Sequence, residues 1–338
     1  MLDRILNLFA RPGLNKDRLF SSIQIELTNH CTNTCRYCPQ SIWRSNCENG
    51  VFNREKGYMD KAFFKEVFTK AVKYTKLVNF SFFGEPMMHP DFLEIMDYVG
   101  NNKDNVRIVI NTNLSLATRE IFEKLIEICI TELRLSIDSS TSETFEKLRP
   151  GKICFDLNGN TIEGNRFEDV TAKAEYWLGL SDHRPTRHVF AVNSQNVKEV
   201  KDFFKKWHSL LGKDDSILFK RILSYGGNMA DDMVENHECN VWRYNMLTID
   251  WQGNMSPCNL DVNMALNLGN IRNVSLGGLS KSKKYKELKR MSMSKSIQPC
   301  KSCFDANNWD SNILLRSTDV WNESLFSAIY HTPEVDSD

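Results

Sequence analysis

Residues 23–38 read Ile23-Gln24-Ile25-Glu26-Leu27-Thr28-Asn29-His30-Cys31-Thr32-Asn33-Thr34-Cys35-Arg36-Tyr37-Cys38, a β-like run that breaks into three cysteines within eight residues. A loop of that length curls back on itself, so its three thiolates reach three corners of one metal centre. A closed structural zinc site or an ordinary [4Fe–4S] cluster takes four protein ligands. Three ligands therefore leave two readings: a zinc site completed by a distant fourth ligand, or a cluster with one coordination position open to a small molecule.

Working outward, β-like runs recur at 23–27, 77–82, 107–111, 132–137, 188–192 and 217–223, with helix-period stretches at 61–74, 91–99, 118–130, 142–148, 167–178 and 197–210 between and after them. Strands alternating with helices predict an α/β fold with a parallel sheet, because each parallel crossover needs a covering element. The connections 39–60 and 150–166 are overlong for such units, and long connections of this kind tend to be functional. From about residue 229 the alternation stops. The region to 304 is richer in Asn, Gly and Ser, predicts a hairpin over 246–257 turning on Gln252-Gly253-Asn254, and carries a second cysteine set, Cys239, Cys258, Cys300 and Cys303. The chain has no internal repeat, and the acidic tail 332–338 is expected to fray.

The 338 residues hold 43 basic and 43 acidic side chains, a balance that gives no electrostatic reason to expect nucleic acid as a partner. No apolar run approaches the roughly 18 residues of a membrane span. Asp3 and Arg4 interrupt the apolar N-terminus, which reads as a short amphipathic helix packed on the body rather than a signal peptide. Ten cysteines without a secretory signal point to metal ligation in a reducing, cytoplasmic setting instead of a disulfide framework.

The Cys31-x3-Cys35-x2-Cys38 loop after the first strand resembles the signature of the radical S-adenosylmethionine (SAM) enzymes. That resemblance implies a partial (β/α)6 TIM-like barrel over residues 20–228, preceded by an N-terminal extension, 1–19. It also implies a [4Fe–4S] cluster on the three cysteines whose unique iron chelates SAM, which is reductively cleaved to methionine and a 5′-deoxyadenosyl radical. Tyr37 matches the aromatic that lies near the adenine. Phe83-Gly84-Glu85-Pro86 resembles the family's GGEP motif, with Phe83 replacing its first glycine; there Gly84 permits close backbone approach, Glu85 pairs with the SAM ammonium and Pro86 completes the turn. Asn113, Ser136 and Asp138 end the third and fourth strands, where related enzymes direct polar groups to the ribose and carboxylate of SAM. Val192 and Asn196 end the fifth, where an adenine-facing edge is implied.

Four thiolates in the second set suffice to close a site, and their chemistry alone admits either zinc or iron–sulfur. The framing Cys239-x13-Gly253-x4-Cys258 followed by Cys300-x2-Cys303 resembles the SPASM pattern of auxiliary-cluster extensions. No cysteine follows Cys303. The resemblance is thus to the truncated twitch form of 2-deoxy-scyllo-inosamine dehydrogenase-type enzymes. It implies a twitch-type auxiliary-cluster domain over 229–305, a second [4Fe–4S] cluster fully ligated by protein, and a C-terminal extension, 306–338.

An auxiliary cluster able to accept an electron favours net oxidation of a sugar or aminocyclitol alcohol, with a flavodoxin or ferredoxin as external electron donor. The competing expectation is crosslinking, oxidation or epimerisation of a ribosomally made precursor peptide. An iron–sulfur electron carrier would have no use for the open position or for Glu85 and Asp138. Arg221, near the end of the sixth run, shares a strand face with Phe219 and Leu223; if that face lines the lumen, Arg221 is the candidate catalytic residue. Cys47 and Cys154, on the long connections, are candidate hydrogen-atom donors, while Cys129 reads as a buried apolar side chain.

Overall fold

The structure, a computed structural model, describes residues 19–41, 52–164, 166–223, 225, 241–303 and 312–330. The expected N-terminal helix, Cys47, Cys239 and the acidic tail lie outside the described residues. Six strands form where the alternation places them: β1 (Ser22–Ile25), β2 (Leu77–Phe80), β3 (Arg107–Thr112), β4 (Glu132–Ser136), β7 (Thr186–Val192) and β8 (Ser216–Arg221). They hydrogen-bond in that order, every neighbouring pair parallel. The crossovers carry α1 (Lys61–Ala71), α2 (Phe92–Asn102), α3 (Arg119–Glu127), α4 (Ser142–Leu148) and α5 (Phe167–Gly179), and α6 (Val200–His208) links β7 to β8. Side-chain oxygens of Asp60, Thr118 and Thr141 accept from backbone N–H groups at the starts of α1, α3 and α4, satisfying donors that a helix leaves unpaired. This is the partial (β/α)6 barrel.

The two faces of the six strands differ in chemistry. Ile23, Ile25, Val78, Phe80, Ile108, Ile110, Leu133, Leu135, Phe190, Ile217 and Phe219 are fully buried in the hydrophobic core. Alternate positions, among them Gln24, Asn79, Asn111, Arg134, Ser136 and Lys220, line the lumen. A parallel sheet packed on both faces reads as continuous apolar runs. A polar inner face instead leaves space for a ligand.

Three features depart from expectation. The 150–166 connection contains a hairpin, β5 (Ile153–Phe155) with β6 (Thr161–Glu163), too short and polar to register as strands. The expected 246–257 hairpin forms, as β9 (Met246–Ile249) and β10 (Met255–Ser256), but β9 also pairs parallel to β1, so the sheet continues through the second cysteine region. Gly253 at its turn has φ +90°, and a Cβ there would stand 2.5 Å from Phe63. In the C-terminal extension, β11 (Ile313–Arg316) adds antiparallel to β8, giving a nine-stranded sheet among the described residues, with β5 and β6 apart from it. Helices α7 (Val241–Tyr244), α8 (Leu276–Leu279), α9 (Lys283–Met293) and α10 (Glu323–Tyr330) complete the described elements.

A buried ion pair fastens these parts together. Arg54 donates from both terminal nitrogens to Glu26, each at 2.7 Å, and from Nε to the Val262 carbonyl at 2.9 Å, with Asp250 at 3.6 Å. Glu26 is 1% exposed. Removing one member of such a pair strands a charge in low dielectric, so Arg54→Met should cost roughly 3–5 kcal/mol. The double variant Glu26→Gln, Arg54→Met should recover most of that loss in denaturant unfolding. Simple addition of the two single effects would show that the pair does not couple.

Candidate active site

The cysteine loop leaves the C-terminal end of β1 and is held from three sides. Thr34 and Arg36 donate backbone N–H groups to Pro150 and Leu148 carbonyls at 2.7 and 2.9 Å. Thr32 and Ser115 hydroxyls stand 2.6 Å apart. Asn29, fully buried, donates to the Glu55 carbonyl and accepts from Gly57 N–H. Beneath the loop runs Phe83-Gly84-Glu85-Pro86. Gly84 has φ +86°, and a Cβ there would stand 2.3 Å from the Thr28 carbonyl oxygen, so no other residue fits without moving the loop. The positive φ in the aromatic pair falls on Phe82 and not on Phe83, which takes the place of the motif's first glycine without strain and packs edge-on against Phe52.

Cys31, Cys35 and Cys38 line one cavity of about 190 Å³, together with Tyr37, Gly84, Glu85, Asn113, Ser136, Asp138 and Arg221. Burial pushes the Cys35 thiol up to about 11 and raises Cys31 and Cys38 as well. Thiols so placed ionise only against a strongly positive body, which is the condition an iron–sulfur cluster supplies. Asn113 Nδ2 faces Cys31 Sγ at 3.7 Å. Among the described residues no three His, Cys, Asp or Glu side chains converge on the site of a single metal ion.

Glu85 is 1% exposed and accepts from Thr112 Oγ1 at 2.9 Å, Asn113 N–H at 2.7 Å and Met87 N–H at 3.2 Å. Burial, more than these bonds can offset, raises its pKa to about 7. An ammonium brought into the cavity would hold it ionised. Pro86 starts the short helical turn that Glu85 caps, so it shapes the site without lining it. Asp138, at φ +59°, accepts from Tyr37 Oη, Ala191 N–H and Arg149 Nε, the last at 2.8 Å. The donor set thus fits a cluster bearing a zwitterionic, positively charged sulfonium ligand.

Some expected positions move. Val192 belongs to the hydrophobic core, and Asn196 Nδ2 is spent on the Asp138 and Ala191 carbonyls, so Val189 and Ala191 form that wall of the cavity instead. Period two explains the shift, since Val189 and Ala191 alternate inward while Phe190 and Val192 face the helices. The same alternation on β8 puts Leu218 and Lys220 in the lumen; Phe219 faces the helices, and Arg221 on its side of the strand lies 5.9 Å from the Tyr330 ring while still lining the cavity edge. Cys154 is fully buried against Lys173 Nζ at 3.3 Å and lines no part of this cavity, and Cys129 is exposed. Arg149 and Lys220 escaped the sequence reading. Period two from Leu218 would have found Lys220, whereas nothing in the spacing marks Arg149.

In the second region Cys258 follows β10 and its sulfur accepts the Leu260 N–H at 3.4 Å, while Cys300 and Cys303 share one tight turn, the Cys303 N–H donating to the Cys300 carbonyl. Asp261 accepts from Ser256 Oγ and the N–H groups of Ala265 and Leu266, fixing the loop after Cys258.

Residues 25–161 match the family model of the radical SAM superfamily, and residues 239–304 match that of the SPASM iron–sulfur cluster-binding domain. The chain is 24% identical over 216 residues to the tungsten-containing aldehyde ferredoxin oxidoreductase cofactor-modifying protein of Pyrococcus furiosus, a stretch covering 63% of this chain and 54% of that one. It is 25% identical over 131 residues to the S-adenosyl-L-methionine-dependent 2-deoxy-scyllo-inosamine dehydrogenase of Niallia circulans, covering 38% and 49%. The chain thus spans about half the length of these curated relatives. Among solved structures, BtrN in complex with AdoMet and 2-DOIA superposes with a TM-score of 0.52 at 18% identity, over 86% of this chain and 93% of that one. Streptococcus suis SuiB bound to its precursor peptide SuiA gives 0.60 at 13% identity, over 80% and 67%. Membership implies SAM with a [4Fe–4S] cluster, and the second match implies auxiliary iron–sulfur. The three-thiol loop, the Gly84-Glu85 cradle, the six-strand parallel sheet and both matched regions place this chain in the radical SAM superfamily, within its SPASM/twitch subfamily.

Proposed function

We propose that the chain oxidises an alcohol of a sugar or aminocyclitol. In this reading residues 20–228 hold SAM on the first cluster and residues 229–305 hold one auxiliary [4Fe–4S] cluster on Cys239, Cys258, Cys300 and Cys303. When bound, SAM and its cluster supply a 5′-deoxyadenosyl radical. The substrate would lose one hydrogen atom from its carbinol carbon to that radical, giving 5′-deoxyadenosine, one proton from its hydroxyl to a base, and one electron, which together leave a carbonyl. Cys31, Cys35 and Cys38 hold the cluster, Glu85 takes the SAM ammonium, and Tyr37, Asn113, Ser136 and Asp138 orient the rest of SAM. Arg221, at the edge shared by both cavities, positions substrate. An auxiliary cluster held by the second cysteine set would accept that electron, and a flavodoxin or ferredoxin would supply one to the first cluster. Cysteines that serve as iron ligands suit a reducing compartment, which supports a cytoplasmic setting for this reading.

One observation carries the reading: β9 lies hydrogen-bonded along β1, so the hairpin that leads to Cys258 stands one strand, about 5 Å, from the strand that launches the first cysteine loop. A region whose metal served only to fold it would need no such adjacency. The lumen below the thiols, about 210 Å³, suits a small molecule better than a peptide.

Reconstituted anaerobically, the protein should hold about eight irons, and Cys31→Ala, Cys35→Ala, Cys38→Ala about four, without SAM cleavage. Retained cleavage would remove the first cluster from the reaction. Glu85→Gln should weaken SAM binding about tenfold to a hundredfold with iron content unchanged, since a bond between charged groups contributes roughly 1.5–3 kcal/mol. Unchanged affinity in a binding titration would reduce Glu85 to a turn residue. A folded Cys300→Ala, Cys303→Ala variant should form 5′-deoxyadenosine without matching oxidised product. Product at the normal ratio would make the auxiliary cluster structural, and folding must be checked by circular dichroism first, because metal loss can unfold a small region.

A further inference from the structure

Below the cofactor cavity the lumen continues to the N-terminal ends of the strands, as a space of about 210 Å³ that shares Asn111, Ser136, Lys220 and Arg221 with the cavity above. Its floor is unevenly charged. Arg107, Arg134 and Arg187 stand there against one carboxylate, Glu132. Arg134 and Arg187 are register partners on β4 and β7, an arrangement that repels. Glu132 spans them, accepting from Arg134 Nε on one oxygen and from Arg187 on the other at 2.7 Å. Arg187 is only 4% exposed; burial first, then the crowding of Arg134, Arg107 and Arg316, brings its pKa down to about 10 against the pull of Glu132. Arg107 makes no side-chain hydrogen bond or ion pair with any described residue, and neither does Lys220. The same space holds two buried acceptors, Asn79 Oδ1 and Asn111 Oδ1, without hydrogen-bond partners among the described residues.

A purely structural ion-pair network would balance its charges. Here three guanidinium groups face one carboxylate, which leaves two positive charges on the floor. Two orphaned carbonyl oxygens beside them ask for hydroxyl donors. We propose that the substrate is a phosphorylated sugar or polyol whose phosphate monoester sits on Arg107, Arg134 and Arg187 and whose hydroxyls donate to Asn79 and Asn111. The proposal rests on the reading that the lumen holds the substrate, and it narrows that reading. A phosphate monoester carries about −1.5 to −2 near neutral pH, which matches the excess, and its oxygens accept forked guanidinium bonds. A carboxylate brings only one charge. An aminocyclitol, with its amine protonated near neutral pH, brings the wrong sign. Ser136 is two residues up β4 from Arg134, roughly 7 Å along the strand, so a molecule anchored at the floor extends a carbinol carbon toward the SAM end of the lumen.

The test is a binding titration of the reconstituted protein with SAM present, using inorganic phosphate and sn-glycerol 3-phosphate followed by phosphorus NMR, with glycerol and acetate as controls. Saturable binding of one phosphate per chain is expected, with displacement by glycerol 3-phosphate and none by glycerol or acetate. Arg134→Gln should weaken it at least tenfold. Arg107→Gln breaks no described contact, so it should leave folding intact and weaken binding in the same direction. No saturable binding in the wild-type protein, affinity unchanged from wild type in both variants, or acetate binding as tightly as phosphate would overturn the proposal. Phosphate that glycerol 3-phosphate cannot displace would make the floor a site for the free ion and overturn it as well. Since no turnover is read, oxidation of an alcohol without phosphate binding sinks this proposal alone. Phosphate binding without any oxidation sinks the broader reading alone.

Discussion

The buried pair of Glu26 and Arg54 is the contact on which the other parts depend. Glu26 is the residue immediately after β1, Arg54 belongs to the long connection that follows the cysteine loop, and the Glu26 carboxylate also accepts the N–H groups of Phe83 and Trp251 at 3.3 Å. One carboxylate, on the residue that follows the strand leading into the three-cysteine loop, therefore touches the segment of the Gly84-Glu85 cradle and the turn of the β9–β10 hairpin. A buried pair of this kind adds little net stability over an apolar replacement. Its value here is geometric, because it fixes three segments that must share one register if two metal regions are to face the same lumen.

That lumen explains why the barrel stays partial and polar. Closed eight-stranded barrels fill their interiors with layers of branched apolar side chains. This sheet places Gln24, Asn79, Asn111, Arg134, Ser136 and Lys220 inward, beside a few apolar side chains such as Val109, Val189 and Leu218, and turns its larger apolar residues to the helices. Phe203, Trp207, Phe190 and Phe219 form an aromatic cluster behind β7 and β8 in that outer layer, with ring centroids 4.7 Å apart for Phe190 and Phe203. Strand edges are covered by β10 on one side and β11 on the other.

Much of this was legible in the residues. Six strands and their helices followed from periodicity, and the hairpin at Gln252-Gly253-Asn254 from turn chemistry. That Cys31, Cys35, Cys38 and Glu85 line one cavity followed from motif and position, because a loop of eight residues is a local object. The pairing of β9 with β1 was not legible, since a four-residue strand carries no mark of the partner 224 positions away in the chain. Val192 does not line the cavity because the end of β7 was chosen without its phase, Asn196 lies beyond that strand with its amide turned to the Asp138 and Ala191 carbonyls, and Lys220 was passed over beside Arg221, although both line the two cavities. One residue of phase exchanges lumen and core. Arg149 was invisible because its partner Asp138 is brought to it by the α4 turn and not by any spacing along a strand.

The charges along β4 make the division of labour within the lumen concrete. Its inward positions are Glu132, Arg134 and Ser136, and Asp138 follows two residues beyond, so one strand runs from a basic floor to an acidic rim. At the rim Glu85 and Asp138 face Arg149, and the surplus is negative, matching a cationic cofactor. At the floor the surplus is positive. Lys220 lies between them, its pKa lowered by burial first and by Arg134 and Arg149, and held up by Asp138. Neither surplus stabilises the empty fold, because like charges crowded in a low-dielectric space raise its free energy. Sites that sacrifice stability in this way do so where a ligand supplies the missing charge. The two ends of the lumen are of opposite sign, and Ser136 and Lys220, which line both cavities, mark the level at which the two ends join.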